Sequence, residues 1–238
     1  MKRVIVANNG VEHAIDFVAP WLWLGRGGRC DLLLDDERLL REHLQLGRGE
    51  VVTFRARGGL CTLEGEELRT GTLPAGAVLV IAETWQVRIE EREPLDEARI
   101  ARLGTLETDT ARQVFADELE GAGEVDFADY VRAEAAFHEQ PNEVTRQTLR
   151  AATSLVPAWQ RAQVARAAIE GCAREQCPGA WSALPVSSEP RWRSCQRCGQ
   201  TVTFCDSLRE ARALEAPLVL EPARPRRPDD LAPSVLRS

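Results

Sequence analysis

Trp21-Leu22-Trp23-Leu24-Gly25-Arg26 is the stretch on which the fold turns. Its bulky apolar residues alternate as a strand's do, and it stops at a glycine followed by a guanidinium. An acidic loop and then Arg41-Glu42-His43 come next. Working outward, Val4-Ile5-Val6, Leu32-Leu33-Leu34, His43-Leu44-Gln45-Leu46, Val51 to Ala56, Cys61-Thr62-Leu63, Val78 to Ile81 and Trp85 to Glu90 are short apolar or alternating runs. Gly, Asp and Pro turns separate them, so residues 1–92 predict a β-sandwich that displays Arg26 on a loop between strands.

These residues carry a resemblance. Gly25-Arg26, then Leu40-Arg41-Glu42-His43, then Leu63-Glu64-Gly65-Glu66-Glu67-Leu68 ahead of Leu73-Pro74-Ala75-Gly76 resemble the forkhead-associated (FHA) domain over Lys2 to Arg92. In that family the pattern is Gly-Arg, Ser-Arg-x-His and an Asn-Gly turn; Arg, Ser and Asn hold a phosphothreonine while His braces the loops. The resemblance therefore implies a phosphopeptide-binding set of Arg26, Arg41 and His43. This chain departs from the pattern at Leu40, where the serine belongs, and at Gly58-Gly59, where the Asn-Gly turn belongs. The implied module is a degenerate FHA domain.

An arginine fork binds phosphate through paired, charge-assisted hydrogen bonds. Losing each neutral partner removes roughly 1–3 kcal/mol from such a site. The alternative reading of Arg26 is an ion pair with Asp31, Asp35, Asp36 or Glu37 nearby, since surface pairs of this kind are common and weak.

Composition narrows the partners. The chain has 238 residues, a formal net charge of −7 and 44% hydrophobic residues, enough for one good core and a smaller second one. The acidic balance opposes non-specific attraction to nucleic acid or anionic lipid, which depends on clustered basic surface. No run approaches the roughly 18 apolar residues of a membrane span, and Met1-Lys2-Arg3 leads straight into a strand. A soluble, cytoplasmic protein is expected.

After Arg92 the period changes. Ala111, Val114, Phe115 and Leu119 fall at helical spacing behind Thr108 and Asp109, which are good N-cap types, and Gly121-Ala122-Gly123 ends that helix. A second helix carries Phe127, Tyr130, Val131, Glu134 and Ala135, and a third carries Val144, Thr148, Ala151, Ala152 and Leu155. Pro157 separates the third from a fourth at Ala158 to Ile169. Residues 93–170 thus predict a helical module. Its acidic residues Glu118, Glu120, Glu124, Asp126 and Asp129 read as a solvated face, with a cation site or acid/base pair as the other reading. Ala116-Asp117-Glu118-Leu119-Glu120 with Tyr130-Val131-Arg132-Ala133-Glu134 is similar to a short bacterial repeat-companion motif, which implies no activity.

Residues 171–221 concentrate five of the seven cysteines, at Cys172, Cys177, Cys195, Cys198 and Cys205. A Cys-x2-Cys turn aims two thiolates at one centre, and a second pair completes the tetrahedral set of a structural zinc. The candidate ligands are Cys172, Cys177, Cys195 and Cys198, with Cys205 as the alternative fourth. In a reducing compartment metal is favoured over disulfides, and so small a module needs a staple. Other readings are a redox dithiol at Cys195 and Cys198 or simple buried thiols. The Cys-Pro-x-x-Trp and Cys-x-x-Cys pattern also resembles an uncharacterised bacterial Cys-rich module. Trp181 and Trp192 read as its core, and residues 222–238, rich in proline and arginine, as a disordered tail.

No phosphate loop appears, and His13, His43 and His138 have no nucleophile in a recognisable local motif. The chain reads as a non-catalytic adaptor that binds a phosphothreonine-containing or acidic protein segment, and the FHA resemblance suggests a place in bacterial signalling. Two alternatives stand beside it: a thiol-based sensor or enzyme using Cys195 and Cys198, and a structural subunit with a permanent FHA-mediated interface.

Overall fold

The computed structural model describes residues 1–27, 30–172, 177–206, 208–214 and 217–220. The expected tail at 222–238 lies outside them. The chain forms two compact units, Met1–Glu93 and Pro94–Ser238.

The first unit is a two-layer β-sandwich. In chain order its strands are β1 (Lys2–Asn8), β2 (Val11–Asp16), β3 (Trp21–Gly25), β4 (Leu32–Leu33), β5 (Leu44–Gly47), β6 (Val52–Ala56), β7 (Cys61–Leu63), β8 (Glu66–Leu68), β9 (Thr70–Leu73), β10 (Val78–Ile81) and β11 (Trp85–Glu91). One sheet has the order β2-β1-β11-β10-β7-β8 and the other β4-β3-β5-β6-β9. Period-2 alternation builds the interior: Leu22 and Leu24 of β3, Leu44 and Leu46 of β5, and Val87 and Ile89 of β11 turn inward and are buried. Trp21, on the other face of β3, is left exposed.

The expected runs all contain strands, whereas β2, β8 and β9 go beyond them. The signals there are weak. β2 mixes Glu12, His13 and Asp16 into its run, and β8 reads Glu66-Glu67-Leu68. They are held by pairing along the sheet, β2 against β1 over six residue pairs and β8 against β7 across the Glu64-Gly65 turn.

The second unit begins with α1 (Glu97–Leu103), α2 (Asp109–Gly121), α3 (Val125–Glu139), α4 (Glu143–Leu155) and α5 (Ala158–Val164). Thr108 caps α2 by accepting the Ala111 N–H, in agreement with its N-cap chemistry. Phe115, Leu119, Phe127, Tyr130, Val131 and Leu149 form the helical core. On α4 the buried position is Leu149, while Val144 and Leu155 are exposed, so the face assigned from the sequence is rotated. The fourth helix stops at Val164, and Ile169 instead enters a strand.

That strand, β12 (Ile169–Glu170), joins β13 (Trp192–Ser194), β14 (Thr201–Cys205) and β15 (Leu218–Leu220) in a sheet of order β12-β15-β14-β13. A 3-10 turn at Trp181–Ala183 and helix α6 (Leu208–Arg212) flank it. Where the sequence divides a helical module from a Cys-rich one at residue 171, the chain packs as one unit. The reason lies in α5, whose Val164 belongs to the helical core and whose Ala162 belongs to the core of Trp181, Cys195, Val202 and Phe204.

Candidate functional site

Two constellations bear on function, one in each unit. In the first, the segment after β3 is stitched to the segment before β5. The Arg26 N–H donates to the Leu40 carbonyl at 3.1 Å, the Gly27 N–H to the Arg41 carbonyl at 2.9 Å, and the His43 N–H to the Leu24 carbonyl at 2.9 Å. Glycine is required for so close an approach: a Cβ on Gly25 would lie 2.7 Å from the carbonyl oxygens of both Leu40 and Arg41. The buried Cys30 thiol adds a bond to the Arg41 carbonyl at 2.8 Å.

His43 is buried beneath this junction, and its Nδ1 accepts the Leu40 N–H at 3.2 Å. Its carbonyl accepts the Arg57 N–H at 2.7 Å and the Gly58 N–H at 3.3 Å, so one residue ties the 40s segment to the turn after β6. The Gly58 backbone lies so close to the imidazole that a Cβ there would fall 2.0 Å from Nδ1. Burial pushes the His43 pKa down, which favours the neutral ring that its acceptor role needs.

Arg26 and Arg41 are both exposed, and no described residue forms an ion pair or side-chain hydrogen bond with either guanidinium. The nearby carboxylates are engaged elsewhere or apart. Asp31 accepts the Trp23 N–H at 2.7 Å. Asp36 accepts from Arg38 Nη2 at 2.7 Å and from Trp85 Nε1 at 2.9 Å, bonds that hold its carboxyl well below the usual carboxylate range. Leu40 is 48% exposed, and Leu60, next to Gly59, is exposed as well. The sequence reading missed Arg57, which packs 4.6 Å over Trp23 and pairs with Glu42 at 3.2 Å. No local motif marks it, because its neighbours come from β3 and from the segment before β5.

In the second unit the sulfurs of Cys172, Cys177 and Cys198 lie within 4.8 Å of one another. Cys172 Sγ and Cys198 Sγ are 3.9 Å apart, against about 3.8 Å for the edge of a tetrahedron with the usual Zn–S bond length. Cys195 lies beside this group, outside its 4.8 Å limit, and its thiol is influenced by Cys198 and Cys177. The backbone N–H groups of Cys198 and Arg197 stabilise its thiolate, bringing it down to about 7. The knuckle closes where the Gly199 N–H donates to the Cys195 carbonyl at 2.8 Å, with Gly199 at φ +72°. Four thiols converging in this way suit a soft divalent metal.

Cys205, the alternative fourth ligand, stands apart. It is buried in a separate apolar group with Ala211, Leu218 and Leu220, and burial raises its pKa. In the sandwich, burial likewise pushes the Cys61 thiol up to about 11, so that side chain packs as an apolar group.

Of the acidic helix residues, Glu118, Glu120, Glu124 and Asp129 are matched by arginines. Arg102 pairs with Glu118, and Arg132 with Asp117, Glu120 and Asp129, on exposed surface. Among the described residues no helix is long and apolar enough to cross a membrane.

No family model matches the chain, and no curated relative does. Among solved structures it is similar to the Slr1951 protein from Synechocystis sp., at 16% identity over 39% of this chain and 99% of that one, with a TM-score of 0.35. The FHA domain of the CT664 protein from Chlamydia trachomatis has 21% identity over 38% of this chain and 98% of its own, with a TM-score of 0.32. The FhaA FHA domain, solved with the intracellular domain of Rv3910, has 16% identity over 38% of this chain and 100% of its own, with a TM-score of 0.35.

Proposed function

We propose that the N-terminal sandwich is an interaction module that reads a phosphothreonine-containing segment of a partner protein. Arg26 and Arg41 take the phosphate, and His43 fixes the loops that carry them. The observation behind this reading is that Arg26 sits exposed on a loop locked to the Arg41 segment, with its guanidinium uncommitted among the described residues. Because the backbone of this loop is already fixed, taking an anion costs side-chain ordering and little further ordering of the loop. The exposed Leu40 and Leu60 offer apolar contact where the hydroxyl and amide are missing.

The role is that of an adaptor in signalling, with binding and not turnover as its output. The second unit is held by a structural zinc on Cys172, Cys177, Cys195 and Cys198, a closed four-sulfur set whose work is to fix the fold. Bound metal also distinguishes this reading from a Cys195/Cys198 redox pair, which needs free thiolates.

The test is selection of phosphothreonine peptides from a library by the full chain, repeated after phosphatase treatment and with Arg26→Ala. Enrichment that disappears in both controls supports the reading. Equal capture by wild type and variant rejects Arg26 as the reader.

A further inference from the structure

Arg112 on α2, Arg166 just past α5 and Arg193 on β13 line one cavity of about 460 Å³ in the second unit. That size suits a small organic molecule and is ample for an inorganic ion. Much of the remaining lining is apolar, including Leu106, Leu184 and Val186.

The charges around this cavity do not cancel. Glu134, 3% exposed, pairs with Arg112 at 3.2 Å and with Arg166 at 3.0 Å, and Asp109 takes Arg166 at 2.7 Å. Arg193, also 3% exposed, has no carboxylate partner among the described residues. Its terminal nitrogens donate instead to the carbonyls of Trp181 at 2.9 Å and Gln163 at 3.0 Å, and its guanidinium lies 4.6 Å from the Trp181 ring centre. Arg112 pairs with Glu134 and Arg166 with Asp109, which leaves Arg193 as the guanidinium without a carboxylate among the described residues. Glu107 also lines the cavity and, exposed as Asp109 is, forms no ion pair with any of the three arginines. In addition, the Nε atoms of Arg112 and Arg193 are buried with no hydrogen-bond acceptor among the described residues. Burying an unmatched cation and unsatisfied donors is unfavourable unless something supplies the missing charge.

We propose that this cavity binds a small organic monocarboxylate, its head beside the Arg112 and Arg193 guanidiniums and its apolar body along Leu106, Leu184 and Val186. One negative charge matches the unpaired Arg193, and the apolar lining selects a carboxylate with a hydrocarbon body over a bare anion. A ligand seated there would bridge the helical core and the Cys-rich sheet, because both contribute walls.

The experiment is calorimetric titration of the full chain with sodium hexanoate, inorganic phosphate and hexanol in turn. Saturable hexanoate binding, at least about tenfold tighter than either control, is expected. Ala183→Trp, on the exposed 3-10 turn that lines the cavity, crowds the space without replacing a charged residue and should abolish binding. The Arg112 and Arg193 Nε–H resonances of wild type provide a readout that does not depend on the variant folding, and both should shift with hexanoate. Absence of saturable hexanoate binding, phosphate binding as tight as hexanoate, unchanged binding in a folded Ala183→Trp chain, or Nε–H resonances indifferent to hexanoate would overturn the proposal.

Discussion

The Arg26 amide is bonded to the Leu40 carbonyl at 3.1 Å while both side chains stand exposed. The backbone junction therefore exists before any ligand arrives, and it sets Arg26 on one loop against the segment that carries Arg41. The glycine that permits this approach gives the first prediction. Gly25→Ala would place a methyl 2.7 Å from two carbonyl oxygens, and relief requires the loops to part. Overpacking of this kind costs about 1–3 kcal/mol. Faster amide exchange in β3 and β5, with loss of phosphopeptide binding, is the expected result.

A second prediction concerns pH. His43 has its pKa lowered below the ordinary 6.5 by burial, so the unfolded chain takes up its proton before the folded one does. Its contribution to stability is present above the unfolded value and is lost as pH falls through the lower folded value. Urea unfolding of the sandwich should show stability declining from pH 7 toward pH 5. His43→Gln should flatten that slope at a lower overall stability, and an unchanged slope would show that His43 does not titrate against folding.

The third prediction rests on the buried carboxylate of the helical unit. Glu134 accepts from Arg112 and Arg166 and also takes the Arg166 N–H at 3.2 Å. Glu134→Ala strands the buried Arg112 guanidinium and leaves Arg166 with Asp109 alone, and breaking a buried pair this way costs about 3–5 kcal/mol. Denaturant unfolding of the variant should show a loss of that order, confined to the second unit.

Metal content gives the fourth. Protein purified without chelator should carry one zinc per chain by elemental analysis. Cys195→Ser and Cys198→Ser should lose it, while Cys205→Ser should keep it, since Cys205 lies in its own apolar group. Removal of zinc should unfold the β12–β15 sheet region, because metal binding and folding are linked there.

Much of the sandwich was legible because its strands announce themselves locally. Trp21 to Gly25 and Trp85 to Glu91 alternate inward and outward, and the inward residues are buried. The Thr108 cap was equally local. β8, by contrast, is a polar run whose pairing comes from a neighbouring strand, and sequence carries no trace of that neighbour until the turn is formed. The α4 face was misjudged because Val144 and Leu155 share its helical spacing yet have no core to meet.

Site residues divide in the same way. Gly25-Arg26 and Cys195-Cys198 are local patterns whose geometry follows from short turns. The convergence of Cys172 and Cys177 on Cys198 required the chain to return through β13, although their crowding in sequence hinted at it. Arg112, Arg166 and Arg193 stand too far apart in the sequence to suggest a shared cavity. The expected boundary at residue 171 follows the change in sequence pattern, whereas α5 contributes to the cores on both sides of it.

The most direct measurement of the central claim is the affinity of one selected phosphothreonine peptide for wild-type and Arg26→Ala protein, each compared with the unphosphorylated peptide. Loss of a charge-assisted bond to phosphate is worth about 1.5–3 kcal/mol, so a fall of roughly 10- to 100-fold confined to the phosphorylated peptide is the predicted result. A phosphorylated-to-unphosphorylated preference that survives Arg26→Ala intact would contradict it.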